Sequence, residues 1–359
     1  MPQAIPRLGH LLLRLRTRAA LAPMALEPRR PGRAARRALA LMAPGLMMTL
    51  ALCGLALPAR AAWPERPIVV IVGYPPGGAT DLIARSVSQK VAEQLGVSLV
   101  IESKPGAAGI IAMAAGARAA PDGYTLYFSS IGDIAIATAL GPQQQNLLRD
   151  FAPVTGVANA PHILVVPASL PIRNVGQLLD YLRAAPGKYN YASIGVGTLA
   201  HLEGELLQMT TGVRIEHVPY KGSAQAMVDL LSGESTLMFV SSPSAVPHMK
   251  SGRARVLAVA SPRRLPLLPD TPTIEEAGVK GFEAPNLFGF LAPRGTPAGI
   301  TATLAAAIEK ALGASDLRAT FDAQGLEPLY TGPEGFTRLI ERDYATFERI
   351  VRTANVKAN

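Results

Sequence analysis

Residues 67–84 read Pro67-Ile68-Val69-Val70-Ile71-Val72-Gly73-Tyr74-Pro75-Pro76-Gly77-Gly78-Ala79-Thr80-Asp81-Leu82-Ile83-Ala84. The run Ile68 to Val72 is continuously apolar and β-branched, the composition of a strand buried on both faces. Two prolines and two glycines follow almost at once, which excludes a helix interior and a central strand there. Thr80 then stands as the cap of a helix in which Ile83, Val87, Val91 and Leu95 recur every four residues until Gly96 stops it. Val97 to Ile101 supplies the next strand. Strand, glycine-rich turn, helix and strand make the repeating unit of an α/β sheet.

The same grammar continues along the chain. A helical stretch from Ile110 to Ala120 precedes the turn Pro121-Asp122-Gly123 and the strand Tyr124 to Ser129. A second block opens near Ile163-Leu164-Val165-Val166, with a helix from Val175 to Ala185, a strand from Tyr189 to Ser193 and a helix from Thr198 to Thr210. Ile215 to Val218, Leu237 to Val240 and Val256 to Val259 read as further short strands, and the chain past Pro293 is mostly helical.

Net charge divides the chain into two parts. The 359 residues hold 35 Lys and Arg against 26 Asp and Glu, a formal charge of +9, which suggests a polyanionic partner. Residues 1–62 alone contain ten arginines and one acid, Glu27, so the rest balances at 25 basic and 25 acidic side chains. The excess therefore belongs to a leader and excludes nucleic acid as the partner of the remainder. Residues 1–61 have the layout of a secretory signal: an Arg-rich start, the apolar run Ala38 to Leu57, and Pro58-Ala59-Arg60-Ala61, with cleavage expected after Ala61 or Ala62. Translation from Met24 would give the same leader a shorter start, and Arg36-Arg37 loosely matches a twin-arginine signal. The run could also span a bilayer, but Pro44 and Gly45 interrupt it. The single cysteine, Cys53, lies in the leader, so the exported chain would have no disulfide, no thiol nucleophile and no thiolate metal ligand.

Catalytic constellations are scarce. His162, His201, His217 and His248 fall in no close metal spacing, and the sequence has neither a nucleophile elbow nor a phosphate loop. No cofactor or metal is expected. What recurs is a glycine-rich turn between a strand and a helix, at 74–81, at 193–201 and at 218–223. Such turns leave several N–H groups unpaired at the positive end of a helix dipole, where a carboxylate binds without arginine or lysine. In open α/β sheets these turns lie at the carboxyl ends of strands, where ligands bind. Gly195-Val196-Gly197-Thr198-Leu199-Ala200 also fits a dinucleotide fingerprint, with Glu216 at the distance of a ribose-binding acid. The alternative reading is thus an exported nucleotide-dependent or hydrolytic enzyme.

Six stretches carry a resemblance: WPERPIVVIVGYPPGGATDLIAR, VIESKPGAAGIIAMAAGARAAPDGYTL, YASIGVGTLAHLEGELL, HVPYKGSAQAMVDLLSGESTLMF, LPDTPTIEEAG and LFGFLAPRGTP. From about Trp63 onward the chain resembles the Bug family, the TctC-like substrate-binding proteins of tripartite tricarboxylate transport. The resemblance implies an α/β, two-lobed periplasmic binding protein fold (type II-like), with a ligand cleft between lobes joined by a hinge. Lobe 1 would comprise 63–163 plus 287–359, and lobe 2 would comprise 164–286. It implies a small carboxylate or related organic acid as ligand, a permease or sensor as partner, a monomer and no catalysis. On the first lobe it places Tyr74, Pro75, Pro76, Gly77, Gly78, Thr80, Asp81, Ser129 and Ser130 at the cleft. On the second it places Ser193, Gly195, Gly197, Thr198, His201, Tyr220, Lys221 and Gly222. Asp133 departs from the family pattern, and there it would repel an anion unless it turned away or met a cationic group on the ligand. Val240-Ser241-Ser242 lacks an acid that the family often has after the preceding strand, which argues against an amino-acid ligand.

Overall fold

The computed structural model describes residues 63–141, 146–282 and 285–353, together with Gly32. The Arg-rich leader with its expected cleavage site, and Cys53, lie outside the described residues.

β1 (Ile68–Val72), α1 (Ala79–Leu95), β2 (Leu99–Ser103), α2 (Ile110–Ala117) and β3 (Thr125–Ser130) open the chain, and β1 runs parallel to both β2 and β3. β3 leads directly into α3 (Ile131–Leu140), and α4 (Leu147–Asp150) leads into β4 (Phe151–Asn159). Ala160 and Pro161 alone connect β4 to β5 (His162–Pro167), the first strand of another sheet. That sheet grows through α5 (Val175–Ala184), β6 (Asn190–Ser193), α6 (Leu199–Thr211), β7 (Glu216–Pro219), α7 (Ser223–Ser232), β8 (Leu237–Ser241), α8 (Ser242–Lys250) and β9 (Ala254–Ala260). The chain then returns with β10 (Leu287–Pro293), α9 (Ala298–Gly313), α10 (Ser315–Gln324), β11 (Glu327–Pro328) and α11 (Gly332–Thr353). The two sheets have the orders β11-β4-β10-β3-β1-β2 and β7-β6-β8-β5-β9. Each is the centre of one lobe.

Both sheets are covered on two faces, as the unbroken apolar runs require. Val70, Phe128 and Phe290 pack with Ile83 and Val87 of α1 and Ile308 of α9, while their neighbours Ile71, Tyr127 and Leu291 turn to Met113 of α2 and Phe336 of α11. In the second sheet, Leu164, Tyr191 and Phe239 meet α5 and α6, whereas Val165, Met238 and Val240 meet Met227 and Leu230 of α7. α11 joins the two cores: Phe336 and Ile340 belong to a first-lobe cluster, and Phe347 and Val351 to the second-lobe cluster. Gly289 lies in mid-strand because a Cβ there would stand 2.1 Å from the Phe336 ring.

β4, α8 and α3 had no signature in the sequence, for local reasons. β4 contains Pro153 and Gly156, and its pairing with β10 shifts register twice. α8 contains two prolines: Pro243 falls at the start, where a missing N–H costs nothing, but Pro247 falls inside. α3 carries the alternation Ile134-Ala135-Ile136-Ala137, which has no helical period. One expectation is corrected: Thr80 is not the cap of α1. The helix begins at Ala79 and its N-cap is Gly78, which has no side chain to satisfy the first N–H groups.

Candidate functional site

Both lobes contribute helix starts to one small cavity. α1 begins behind the turn after β1, α7 behind the turn after β7, and α8 directly after β8. The caps of α1 and α7 are Gly78 and Gly222, without side-chain acceptors, and the Ser241 cap of α8 makes no capping bond. The first N–H groups of α1 and α7 are therefore unpaired by side chains, with the dipole's positive end adding to each; in α8, Ser242 N–H already donates to the Pro161 carbonyl at 3.1 Å and Pro243 has no N–H. Gly78, Ala79 and Thr80 from the first lobe and Ser223, Ser241 and Ser244 from the second all line the cavity. Tyr74, Pro75, Asp133, His162, Asn286 and Phe288 complete much of its wall.

The turns meet closely across the lobes. A Cβ on Gly222 would stand 3.0 Å from Pro75 Cδ, and one on Gly78 would stand 2.9 Å from Ser223 Oγ. Ser244 Oγ in turn donates to Ser223 Oγ at 3.2 Å. Gly77 holds φ at +88°, a left-handed value that glycine adopts without strain. The enclosed space is only about 20 Å³, room for about one water molecule. Even a four-carbon diacid is several times larger, so the lobes must part to admit one.

Of the residues the sequence singled out, Tyr74, Pro75, Gly78 and Thr80 line this cavity. The others stand beside it in structural roles or on the surface. Asp81 accepts from Gly77 N–H at 3.1 Å and from Arg85 Nε at 2.8 Å, which closes the turn. Pro76 and Lys221 are exposed. Tyr220 donates its hydroxyl to Asp229 at 2.8 Å, within its own lobe. Ser129 Oγ donates to the Ser130 carbonyl at 3.1 Å.

The turn ahead of α6 is internally bonded. Ser193 Oγ accepts from Gly195 N–H at 3.0 Å and lies 2.7 Å from His217 Nε2. Thr198 Oγ1 donates to the Gly195 carbonyl at 2.7 Å, and His201 Nδ1 accepts from Gly197 N–H at 3.3 Å. The rings of His201 and His217 stack at 4.2 Å. Burial and the neighbouring His201 push His217 down to about 4, so it is neutral at neutral pH.

The N-terminus of α6 already holds a carboxylate. Asp133, on α3, accepts from Leu199 N–H at 2.9 Å and from Tyr74 OH at 2.9 Å. It lines the cavity with its oxygens already bonded, and it fills the anion position at one helix start. Burial raises its pKa, and the bonds from Leu199, Tyr74 and Ser130 together with nearby His162 only partly oppose that.

Residues with no motif complete the arrangement. Asn286, 2% exposed, links the strands that cross between the sheets. Its Nδ2 donates to the Ala160 carbonyl (2.8 Å) and to Ser241 Oγ (3.0 Å), and its Oδ1 accepts from Ser130 Oγ (2.9 Å). Its N–H donates to Asn159 Oδ1 at 3.1 Å, and its carbonyl accepts from Ala160 N–H at 3.0 Å. His162, first residue of β5, lies 2.6 Å through Nδ1 from Glu203 Oε2 on α6. Asn286, His162 and Ser244 come from three separate segments, and only their convergence in space marks them, whereas Ser223 ends the glycine-rich turn at 218–223. Among the described residues no cluster of three His, Cys, Asp or Glu side chains could hold a metal, and no helix is long and apolar enough to cross a membrane.

Comparison with known proteins agrees with this geometry. Residues 83–356 match the family model described as the tripartite tricarboxylate transporter family receptor, TctC. The chain is 35% identical over 311 residues to the protein BugT of Bordetella pertussis, covering 86% of this chain and 95% of BugT. Among solved structures it is similar to an R. palustris protein with adipate: 35% identity, TM-score 0.80, covering 82% of this chain and 99% of that one. It is also similar to MatC from Rhodopseudomonas palustris with bound malate: 31% identity, TM-score 0.75, covering 80% of this chain and all of that one, 100%. A two-lobed α/β chain whose helix starts converge on an interlobe cavity thus belongs to the TctC family of tripartite tricarboxylate transporter receptors, the Bug-type periplasmic solute-binding proteins.

Proposed function

We propose that this chain is an exported, non-catalytic receptor whose lobes close on a small organic acid and deliver it to a membrane permease or present it to a sensor. The observation that carries the reading is the start of α1, where unpaired N–H groups behind a glycine cap open on a cavity shared with α7 and α8. A carboxylate there would be held by amide dipoles and by the hydroxyls of Thr80, Ser223 and Ser244, which suits a chain with no charge excess beyond its leader. The adipate and malate bound by two relatives support an acid of this class. The nucleotide alternative is disfavoured because Asp133 occupies the α6 start, where a pyrophosphate would sit.

In this reading 63–163 plus 287–359 form lobe 1 and 164–286 form lobe 2, with the hinge at Asn159 to His162 and before Leu287. Residues 1–61 direct export and are removed, and the receptor works as a periplasmic monomer. The test is thermal unfolding of the purified protein against di- and tricarboxylates, amino acids, aromatic acids and nicotinamide nucleotides. An acid at 100 times its dissociation constant raises stability by about 2.7 kcal/mol. Stabilisation by NAD and by none of the acids would overturn the reading. Mass spectrometry of protein from the periplasm should find Ala62 or Trp63 as its first residue, and an intact leader would contradict export.

A further inference from the structure

The helix starts leave one polar part of the cavity wall unexplained. His162 and Glu203 are 3% and 1% exposed, yet they form a close pair, Nδ1 to Oε2, at 2.6 Å. Glu203 Oε1 is buried with no hydrogen-bond partner. An ionisable pair removed from water costs more than it returns unless it is fully hydrogen-bonded, so a purely structural role accounts poorly for this one. His162 lines the cavity, and its Nε2 has no hydrogen-bond partner among the described residues. The other polar groups facing this place are Asp133 from α3, whose oxygens are taken by Tyr74 and Leu199, and Asn286.

We propose that His162, held by Glu203, is a specificity-determining residue of the cleft: its Nε2–H takes the distal acidic group of a ligand whose first carboxylate sits on the α1 start. This rests on the solute-binding reading above and deepens it.

Chemistry supports the direction of the hydrogen. The pair shares one proton on the Nδ1 side. Nε2 is a donor when the ring carries both hydrogens, or when a protonated Glu203 donates to Nδ1; a neutral ring giving Nδ1–H to the Glu203 carboxylate would leave Nε2 an acceptor, so the assignment requires one of the first two forms. When the proton is on the ring, Nε2–H is a charged donor, roughly twice as strong towards a carboxylate as a neutral one. Burial works against charge on His162, but the adjacent Glu203 carboxylate, together with nearby Asp133, more than restores its basicity. Glu203 acts through His162 and touches no ligand: it is a positioning residue. A helix start contributes only about half a charge, so this dyad is the stronger discriminator between one acidic group and two.

The experiment is calorimetric titration of the full-length protein with matched pairs of straight-chain acids, adipate against hexanoate and succinate against butyrate. The wild-type protein should bind the better-fitting diacid at least about tenfold more tightly than its monoacid, the worth of one charge-assisted hydrogen bond. His162→Gln should erase that ratio. Because this change strands Glu203, the double variant His162→Gln/Glu203→Gln serves as the folding-neutral form, with an amide pair of similar size. Glu203→Gln alone should lower the diacid affinity and abolish the downfield change of the His162 15N signal that diacid induces, an effect that mere packing would not produce. A diacid-to-monoacid ratio unchanged in the double variant would overturn the assignment and leave the receptor reading intact. Wild-type protein that binds neither acid would overturn the receptor reading itself, and this assignment with it.

Discussion

Asp133→Ala removes the one carboxylate that bridges the lobes at the start of α6. In the native state that carboxylate accepts from Leu199 N–H and from Tyr74 OH, each at 2.9 Å, and the Tyr74 side chain is buried. A hydrogen bond to a charged group contributes about 1.5–3 kcal/mol, and two such bonds would contribute about 3–6 kcal/mol. Taking the charge out of water opposes this, so the expected net loss is about 2–4 kcal/mol, or about 3–6 °C in Tm for a chain of this size. The sign of the pH dependence follows from burial, which holds Asp133 above the ordinary carboxylate range. The folded state then binds more proton than the unfolded one, so this group's contribution declines as pH rises from the unfolded pKa through the folded one. Urea unfolding at several pH values, with small-angle scattering to follow lobe separation, measures both effects. The variant should be less stable and more open, and formate well above its dissociation constant should stabilise the variant more than it stabilises wild type. Unaltered stability and an unaltered radius of gyration would refute the bridging role of Asp133.

Three further outcomes are expected. Gly78→Val keeps an ordinary backbone, with φ −87° and ψ 172°, but its Cβ alone would reach within 2.9 Å of Ser223 Oγ, so acid affinity should fall at least about tenfold with little change in Tm; retained affinity would remove this turn from the site. Gly204→Ala forces a methyl to 2.1 Å from the Tyr191 ring inside the second-lobe core and should cost about 1–3 kcal/mol in urea unfolding, whereas a neutral effect would mean that Tyr191 moves freely. Burial pushes Asp343 up to about 6 despite the Arg342 ion pair, so wild-type stability should decline between about pH 4 and pH 6, and Asp343→Asn should flatten that slope and raise stability at pH 7 by about 1–3 kcal/mol. A slope identical in the variant would assign the titration to another group.

The alternating strands and helices were legible because each strand is a short, unbroken apolar run and each helix keeps its four-residue period, as in Ile83, Val87 and Val91. β4 and α8 were not, because Pro153, Gly156 and Pro247 obscure the local pattern that tertiary pairing overrides. At the site, the glycine turn at 74–80 could be read directly, since glycines behind a strand and ahead of a helix have a physical meaning of their own. The capping position was displaced by two residues because Thr80 is the better cap by chemistry, yet Gly78 occupies the place that needs the extended backbone. His162, Glu203 and Asn286 gave no local signal. Their roles arise from contacts across 41 residues, for His162 with Glu203, and across 126 to 156 residues for Asn286 with Ala160 and Ser130.

The central claim is that an acid is recognised by the backbone at helix starts rather than by surface cations. A crystal structure of the protein with malate or adipate tests it most directly. A carboxylate is expected within hydrogen-bond distance of the amides of Gly78, Ala79 or Thr80, with the opposite lobe's Ser223 or Ser244 completing its shell. An acid bound instead in the open groove of about 610 Å³ lined by Arg263, Arg342 and Arg349, with the interlobe cavity unchanged, would contradict it.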